Sequence, residues 1–163
     1  MHTTENTEPP RFLCDEMLAG LARWLRAAGY DTLMCHSGAT DRDILELALA
    51  EKRWLLTRDN KLSEIRNASQ AVICLRSNSI DDCARELKQK LGIDWLMAPF
   101  TRCLECNCLL IEAEPAALAR VPEESQKLAN PLLYCPNCDK VFWQGSHVER
   151  MRNKLEKWST TER

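Results

Sequence analysis

The chain of 163 residues carries a formal net charge of −2 at neutral pH, and 45% of its residues are hydrophobic. This composition excludes a wholly disordered chain, and it provides no overall basic field, although a local basic patch for nucleic acid stays compatible with it. Residues 1–10 lack the apolar segment of a secretory signal, and no apolar run approaches the roughly 20 residues of a membrane helix. We therefore expect a disordered tail at residues 1–10 and a cytoplasmic protein without a membrane segment.

Short apolar segments alternate with helical patterns along the first hundred residues. Strand-like segments cover residues 11–14, 32–34, 54–57 and 71–75, and helical spacing covers residues 17–28, 40–49 and 79–91. The strand-like segments are continuous rather than alternating in polarity, which is typical of a parallel sheet covered by helices on both faces. The pattern predicts an α/β domain over residues 11–98.

Two Cys-x-x-Cys pairs dominate the rest of the chain, namely Cys103 with Cys106 and Cys135 with Cys138. Two residues between cysteines let one tight turn direct both sulfurs at one point, and two such turns complete a tetrahedral zinc site without an open position. We expect a structural zinc ribbon; the alternative is two redox dithiols or unrelated buried cysteines. Cys108 could replace Cys106, but its spacing fits a knuckle less well, and we interpret it as spare.

A last helix is predicted to follow the second cysteine pair. It begins at Ser146, where Ser146 and Glu149 have the spacing of a capping box, and it ends near Trp158. Together with the cysteine pairs it forms the predicted second domain, residues 99–163.

Four aspartates stand where strands end or helices begin. Asp15 follows the first strand, Asp59 follows the third, and Asp41 and Asp43 begin the second helix. The carboxyl ends of parallel strands meet at one edge of a sheet, so these side chains can face a common crevice. Clustered carboxylates are stabilised by a hard cation such as Mg²⁺ or Mn²⁺, which can activate water for phosphodiester hydrolysis. The alternative is that they are helix caps and turn formers.

Three stretches of the sequence together resemble one family. It is the Mut-seven C-terminal RNase family, in which a PIN-like domain is fused to a zinc ribbon. The stretches are the strand ending in Asp15 with residues 17–31, residues 41–59 with the tripeptide Thr57-Arg58-Asp59, and the cysteine pairs followed by residues 141–147. The resemblance covers nearly the whole chain after the tail.

The resemblance implies a metal-dependent ribonuclease with a carboxylate site for Mg²⁺ or Mn²⁺ and with RNA as its partner. Asp15, Asp41 and Asp59 match the metal-binding acids, and Asp43 is an alternate or fourth ligand. A typical PIN domain has a further acid between the first two of these. The interval from residue 30 to 40 offers Asp31 for that position, and we do not assign it as a ligand.

Several cations lie near these motifs and could contact RNA phosphates, or could be ordinary surface residues. The candidates are Arg23, Arg26, Arg58, Lys61, His147 and Arg150. For His147 we favour a structural role in the first turn of the last helix over a role as general acid or phosphate ligand.

Two other functions compete with the ribonuclease. One is a non-catalytic module that binds RNA or associates with the ribosome through the zinc ribbon and the last helix. The other is a protein-interaction scaffold. Convergence of Asp15, Asp41 and Asp59 on one point favours the enzyme, whereas separate capping roles favour the others.

Overall fold

The computed structural model describes residues 8–161, so most of the predicted tail lies outside the described residues. The strands are β1 (Arg11–Cys14), β2 (Thr32–Met34), β3 (Arg53–Thr57), β4 (Val72–Cys74), β5 (Ile111–Glu112), β6 (Leu133–Cys135) and β7 (Lys140–Phe142). The α-helices are α1 (Ala19–Ala27), α2 (Asp41–Ala50), α3 (Asn60–Ser63), α4 (Ile80–Leu91) and α5 (Ser146–Thr160). Throughout the described part, every helix falls short of the length and hydrophobicity that a bilayer crossing requires.

The first four strands form one sheet in the order β2-β1-β3-β4. Each neighbouring pair is parallel, which confirms the predicted α/β sheet. The chain leaves β1 toward β2 on one side and then crosses to β3 on the other side. The connections after β1 and β3 therefore diverge, and this divergence opens a crevice at the carboxyl ends of these two central strands.

Neighbouring residues of the central strands face opposite sides of the sheet, as strand geometry requires. Phe12 and Leu56 pack on the side of α1 and α4, whereas Leu13 and Leu55 pack on the side of α2. All four are fully buried. The sheet therefore has helices on both faces, which explains why its strands are continuous apolar runs.

Helix α5 completes the core on the α1 side of the sheet. Its Met151, Leu155 and Trp158 are buried in the same cluster as the strand residues. The Trp158 ring meets the rings of Trp24 and Trp95 edge to face, with centroid distances of 4.9 Å in each case. The division of the chain at residue 98 stays a prediction, and α5 packs against the part that precedes it.

The connection from the sheet to the cysteine region lies against the end of α1. Ala98 and Phe100 donate backbone hydrogen bonds of 2.9 and 2.8 Å to the carbonyls of Ala28 and Ala27. Gly29 has a φ of 101°, and a Cβ there would lie 2.5 Å from the Ala98 carbonyl oxygen. Only glycine fits both the backbone angle and this close approach.

The cysteine region contains a small antiparallel sheet in the order β5-β6-β7. The sequence indicated an inserted loop or small hairpin between the cysteine pairs. In the structure the β6–β7 hairpin carries the second pair, and β5 adds a short third strand.

Side chains cap two of the helices, and the predicted cap at Ser146 is wrong. The Thr40 and Ser79 side chains accept hydrogen bonds of 3.1 Å from Asp43 N and Asp82 N, and so cap α2 and α4. Ser146 is the first residue of α5 rather than its cap. Gly145 occupies the cap position, and no side chain satisfies the first backbone N–H groups.

Candidate metal centres

The four predicted cysteines gather at one point. The ligand atoms of Cys103, Cys106, Cys135 and Cys138 all lie within 4.8 Å of one another. The sulfurs of Cys103 and Cys138 are 3.9 Å apart, and those of Cys106 and Cys135 are 3.5 Å apart. Zinc–sulfur bonds of about 2.3 Å in a tetrahedron place sulfurs roughly 3.8 Å apart. The group can therefore hold a metal ion such as zinc, and Cys108 lies outside it.

The backbone turns the same way after each cysteine pair. Asn107 N donates to Cys103 O, and Asp139 N donates to Cys135 O, both at 2.9 Å. Asn107 and Asp139 have φ angles of 75° and 55°, in the left-handed region that asparagine and aspartate tolerate best after glycine. The Asn or Asp that directly follows each pair is a sequence signal for this turn that our sequence analysis did not use.

The thiols of the cluster share negative charge unequally. Desolvation raises the pKa of Cys106, but hydrogen bonds from the Cys108 backbone, Asn137 and neighbouring thiols outweigh it and lower the value to about 6. A hydrogen bond to Cys106, together with desolvation, raises the pKa of Cys138 to about 12. A bound dication requires thiolate ligands, so metal binding would release protons from the group.

Arg26 joins the sheet to the first cysteine turn. It is 7% exposed. Its Nε donates to the Thr32 carbonyl at 2.9 Å, and its Nη1 donates to the carbonyls of Leu104 and Glu105 at 3.1 Å. The prediction that Arg26 binds RNA is therefore wrong, because the guanidinium is buried and holds the knuckle backbone against α1.

Asp31 belongs to a second buried contact between the two parts. Arg53 donates to both of its carboxylate oxygens, at 2.8 and 3.2 Å, and Asn107 Nδ2 donates to Oδ1 at 2.7 Å. Asp31 directly precedes β2 and so lies at the amino ends of the parallel strands, whereas Asp15 lies at their carboxyl ends. This position explains why Asp31 does not belong with the other acids.

The Asp31 contact makes a testable prediction about acid stability. Burial alone would raise the pKa of Asp31, but hydrogen bonds from Arg53 and Asn107 lower it below its ordinary value of 3.8. The folded state therefore binds this proton less tightly than the unfolded state. The resulting stability is present above pH 4 and is lost as the pH falls through the lowered folded pKa. Asp31→Asn should cost about 2 kcal/mol at neutral pH, since the buried Arg53 loses its shorter ion pair and keeps the one with Glu51 at 3.2 Å.

Urea unfolding at pH values from 7 to 3 measures this effect. The free energy of unfolding of Asp31→Asn should decrease less steeply below pH 5 than that of the wild type. Glu46→Gln removes one exposed acid on α2 and should follow the wild-type curve. Parallel curves for Asp31→Asn and the wild type would contradict the prediction.

Asp15 and Asp59 are linked at the crevice between β1 and β3. The buried Thr57 hydroxyl donates to Asp15 Oδ2 at 2.8 Å and accepts a 3.0 Å hydrogen bond from Asp59 N. Asp15 Oδ1 accepts from Met17 N at 2.7 Å, and Asp59 Oδ1 accepts from Lys61 N at 2.9 Å. Both carboxylates therefore also cap the turns that follow their strands, and each oxygen keeps a lone pair for another ligand.

The other two acids lie on α2 and are exposed to solvent. Asp41 and Asp43 occupy its first turn. Within residues 8–161, the four cysteines are the group of three or more potential ligands whose atoms lie within 4.8 Å of one another. Asp15, Asp41 and Asp59 are not gathered that closely. The acidic edge therefore offers Asp15, whose carboxylate is joined through Thr57 to the backbone of Asp59, with Asp41 and Asp43 at the start of α2.

Cys35 stands beside Asp15 at the end of the neighbouring strand. Its backbone N donates to Cys14 O at 2.9 Å, which continues the β1–β2 pairing. Burial, followed by the negative charges of Asp15 and Glu16, raises the pKa of Cys35 to about 11. Asp15 and Glu16 therefore place negative charge next to Cys35 at this end of the sheet.

The remaining basic candidates differ in burial and in their contacts. Arg23 Nη2 lies 3.4 Å from His147 Nε2, a contact that joins α1 to the start of α5. Arg58 is half-buried and donates to the Asn78 carbonyl at 3.1 Å. Lys61 and Arg150 are exposed. Except for Arg26, the predicted RNA contacts are thus at least partly accessible, and their role stays a prediction.

Comparison with protein families assigns this chain. The family model of the Mut7-C RNase domain matches residues 10–155. The chain belongs to the Mut7-C RNase domain family. This match confirms the family resemblance and indicates nuclease activity.

A relative of the Mut7-C domain is the human protein described as exonuclease mut-7 homolog. It is 34% identical over 102 residues, which cover 60% of this chain and 12% of the human protein. The chain thus corresponds to a small part of that protein's length. No solved structure matches the chain.

Proposed function

We propose that this Mut7-C domain is a PIN-like, metal-dependent ribonuclease that hydrolyses RNA phosphodiester bonds. Asp15 and Asp59 bind Mg²⁺ or Mn²⁺, with Asp41 as the third acid and Asp43 as an alternate. The observation that carries the proposal is the Thr57 hydroxyl, which joins the Asp15 carboxylate to the backbone N–H of Asp59 and so holds both residues at the ends of the two central strands. The metal supplies an activated water and stabilises charge on the scissile phosphate.

Two carboxylates are enough for this ion. Mg²⁺ keeps several waters and is commonly held by one or two carboxylates together with substrate phosphates. Thr57 fixes the orientation of Asp15, because its hydroxyl proton is committed to Oδ2.

The four-cysteine group holds zinc in this proposal, and its role is structural because four thiolates close the coordination shell. Arg26 and Asn107 connect the zinc ribbon to α1 and β2. The ribbon thereby supports the face of α1 that carries Arg23. A chain with nine free cysteines suits a reducing compartment, and we place the protein in the cytoplasm on that ground.

Calorimetric titration of Mn²⁺ into zinc-loaded protein tests the metal site directly. The wild type should bind Mn²⁺. The Asp15→Asn Asp59→Asn variant should lose that binding, because both carboxylates are replaced by neutral amides. Glu46→Gln Glu156→Gln removes the same charge from exposed positions on α2 and α5 and should bind as the wild type does. Equal binding by all three proteins would refute the assignment.

A non-catalytic RNA-binding module is the second candidate. The observation that favours it is that the ligand atoms of Asp15, Asp41 and Asp59 do not gather within 4.8 Å of one another. It predicts RNA affinity that depends steeply on salt and that is unchanged in Asp15→Asn. Absence of Mn²⁺ binding together with such RNA affinity would establish this function instead.

A further inference from the structure

A polar cavity of about 390 Å³ lies beside the acidic pair, where β3 and β4 end. Its volume is within the range of roughly 300–1,000 Å³ in which proteins bind small ligands. The lining residues are Arg58, Asn60, Leu75, Arg76 and Asn78. Arg58 and Asn60 directly flank Asp59 in the sequence, so the cavity and the carboxylate are neighbours.

The wall of the cavity has the chemistry of an anion site. It presents two guanidinium groups and two amides and includes no carboxylate. The nearby Glu86 is already neutralised, because its carboxylate accepts hydrogen bonds from Ser77 Oγ at 2.8 Å and from Lys90 Nζ at 2.6 Å. A wall with two guanidinium groups and no carboxylate among its own lining residues favours an anionic ligand with several acceptor oxygens.

Hydrogen bonds position the Arg58 and Asn60 side chains of this wall, but some of their N–H donors have no acceptor among the described residues. Arg58 Nη2 donates to the Asn78 carbonyl at 3.1 Å, which fixes the guanidinium against the loop before α4. Arg58 Nε is buried and finds no acceptor among the described residues. Asn60 Oδ1 accepts from Cys74 Sγ at 3.2 Å, so its amide NH₂ is left to donate elsewhere. Unused donors in a fixed arrangement are what an incoming phosphate oxygen would satisfy.

We propose that this cavity binds a phosphate group of the RNA, next to the phosphate that is cleaved at Asp15 and Asp59. The inference rests on the proposed ribonuclease function and adds Arg76, Asn60 and Asn78 to the substrate contacts. The phosphate site on one side of Asp59 and the metal site on its other side would together fix the direction in which the RNA strand passes the metal. The phosphate is either an internal one or a terminal one.

Binding of a short fluorescent oligoribonucleotide to zinc-loaded protein, without added Mg²⁺ or Mn²⁺, tests the cavity. Arg76→Gln should weaken binding about tenfold and should reduce the slope of log affinity against log salt by about 1. Arg66→Gln removes an exposed arginine outside the cavity and should leave both quantities unchanged. Equal melting temperatures of the three proteins show that Arg76→Gln is folded.

Two further arms separate the alternatives. If Arg76→Gln weakens binding only of an oligonucleotide with a 5′-phosphate, the cavity binds a terminal phosphate. If the affinity for the 5′-hydroxyl oligonucleotide decreases equally, the cavity binds an internal phosphate. Unchanged affinity and salt slope in Arg76→Gln, with Mn²⁺ binding by the wild type intact, would overturn the cavity site alone. RNA binding that depends on Arg76, without any Mn²⁺ binding, would instead refute the proposed ribonuclease function and support the phosphate site.

Discussion

Cys135→Ser should abolish zinc binding and unfold the cysteine region. Cys135 is fully buried at the end of β6, and its sulfur also accepts a 3.4 Å hydrogen bond from Cys138 N. Structural zinc contributes about 10–16 kcal/mol of apparent binding free energy in small zinc-binding peptides, and most of this is lost with one ligand. Zinc released by the purified protein, measured with a colorimetric chelator, should fall from an equimolar amount to near zero.

The effect of Cys135→Ser should extend to the sheet. Arg26 is satisfied by the Leu104 and Glu105 carbonyls of the first cysteine turn. When that turn unfolds, a buried guanidinium loses two of its acceptors, and the free energy of unfolding of the α/β part should decrease by about 1–3 kcal/mol. Chelation of zinc from the wild type should cause the same decrease.

Cys108→Ser is the matched control. Cys108 lies two residues after Cys106, next to the first cysteine pair, but it is outside the four-sulfur group. The variant should keep its zinc and its stability. The opposite pattern, in which Cys108→Ser loses zinc while Cys106→Ser retains it, would show that Cys108 is the ligand and would refute the assigned group.

The sheet and the cysteine group could be predicted from the sequence because both leave local signals. A strand buried on both faces is a continuous apolar run, as in residues 54–57, and a metal knuckle is a fixed spacing between cysteines. The same logic placed Asp15 and Asp59 at one edge of the sheet, since each directly follows a central strand.

The role of Arg26 could not be predicted in this way. Its carbonyl partners Leu104 and Glu105 lie 78 and 79 residues further along the chain. Periodicity indicates that a residue is on a helix, but not which later segment covers it. Ser146 shows the same limit at short range: the spacing to Glu149 fits a cap, yet the chain enters α5 one residue earlier, at Gly145.

The Thr57 hydroxyl is the part of the acidic edge that the sequence analysis missed. Thr57 is fully buried, and a buried hydroxyl requires hydrogen-bond partners. A threonine at the end of an apolar strand, two residues before an aspartate, is the signal that could have identified it. Its hydroxyl joins the Asp15 carboxylate to the backbone N–H of Asp59 and so connects the ends of β1 and β3.

Asp15→Asn should lower the rate of RNA cleavage about 100-fold or more at saturating Mg²⁺. The substitution retains an oxygen that can accept from Met17 N, so the turn after β1 should persist. It removes the negative charge that the proposed metal site requires, and about 3 kcal/mol of lost transition-state stabilisation corresponds to a 100-fold slower reaction. Cleavage of a labelled oligoribonucleotide by protein of matched zinc content measures the change.

The single-charge control for this comparison is Glu46→Gln, which lies on the exposed side of α2 and should cleave at the wild-type rate. Mg²⁺ affinity decides how Asp15 acts. If Asp15 binds the metal, raising Mg²⁺ should restore part of the lost rate; if it only caps the turn, the loss should be small at every Mg²⁺ concentration. Cleavage by Asp15→Asn at the wild-type rate would place the nuclease centre elsewhere in the chain. Among the residues that the structure describes, Asp15 is the side chain that Thr57 connects to the Asp59 backbone.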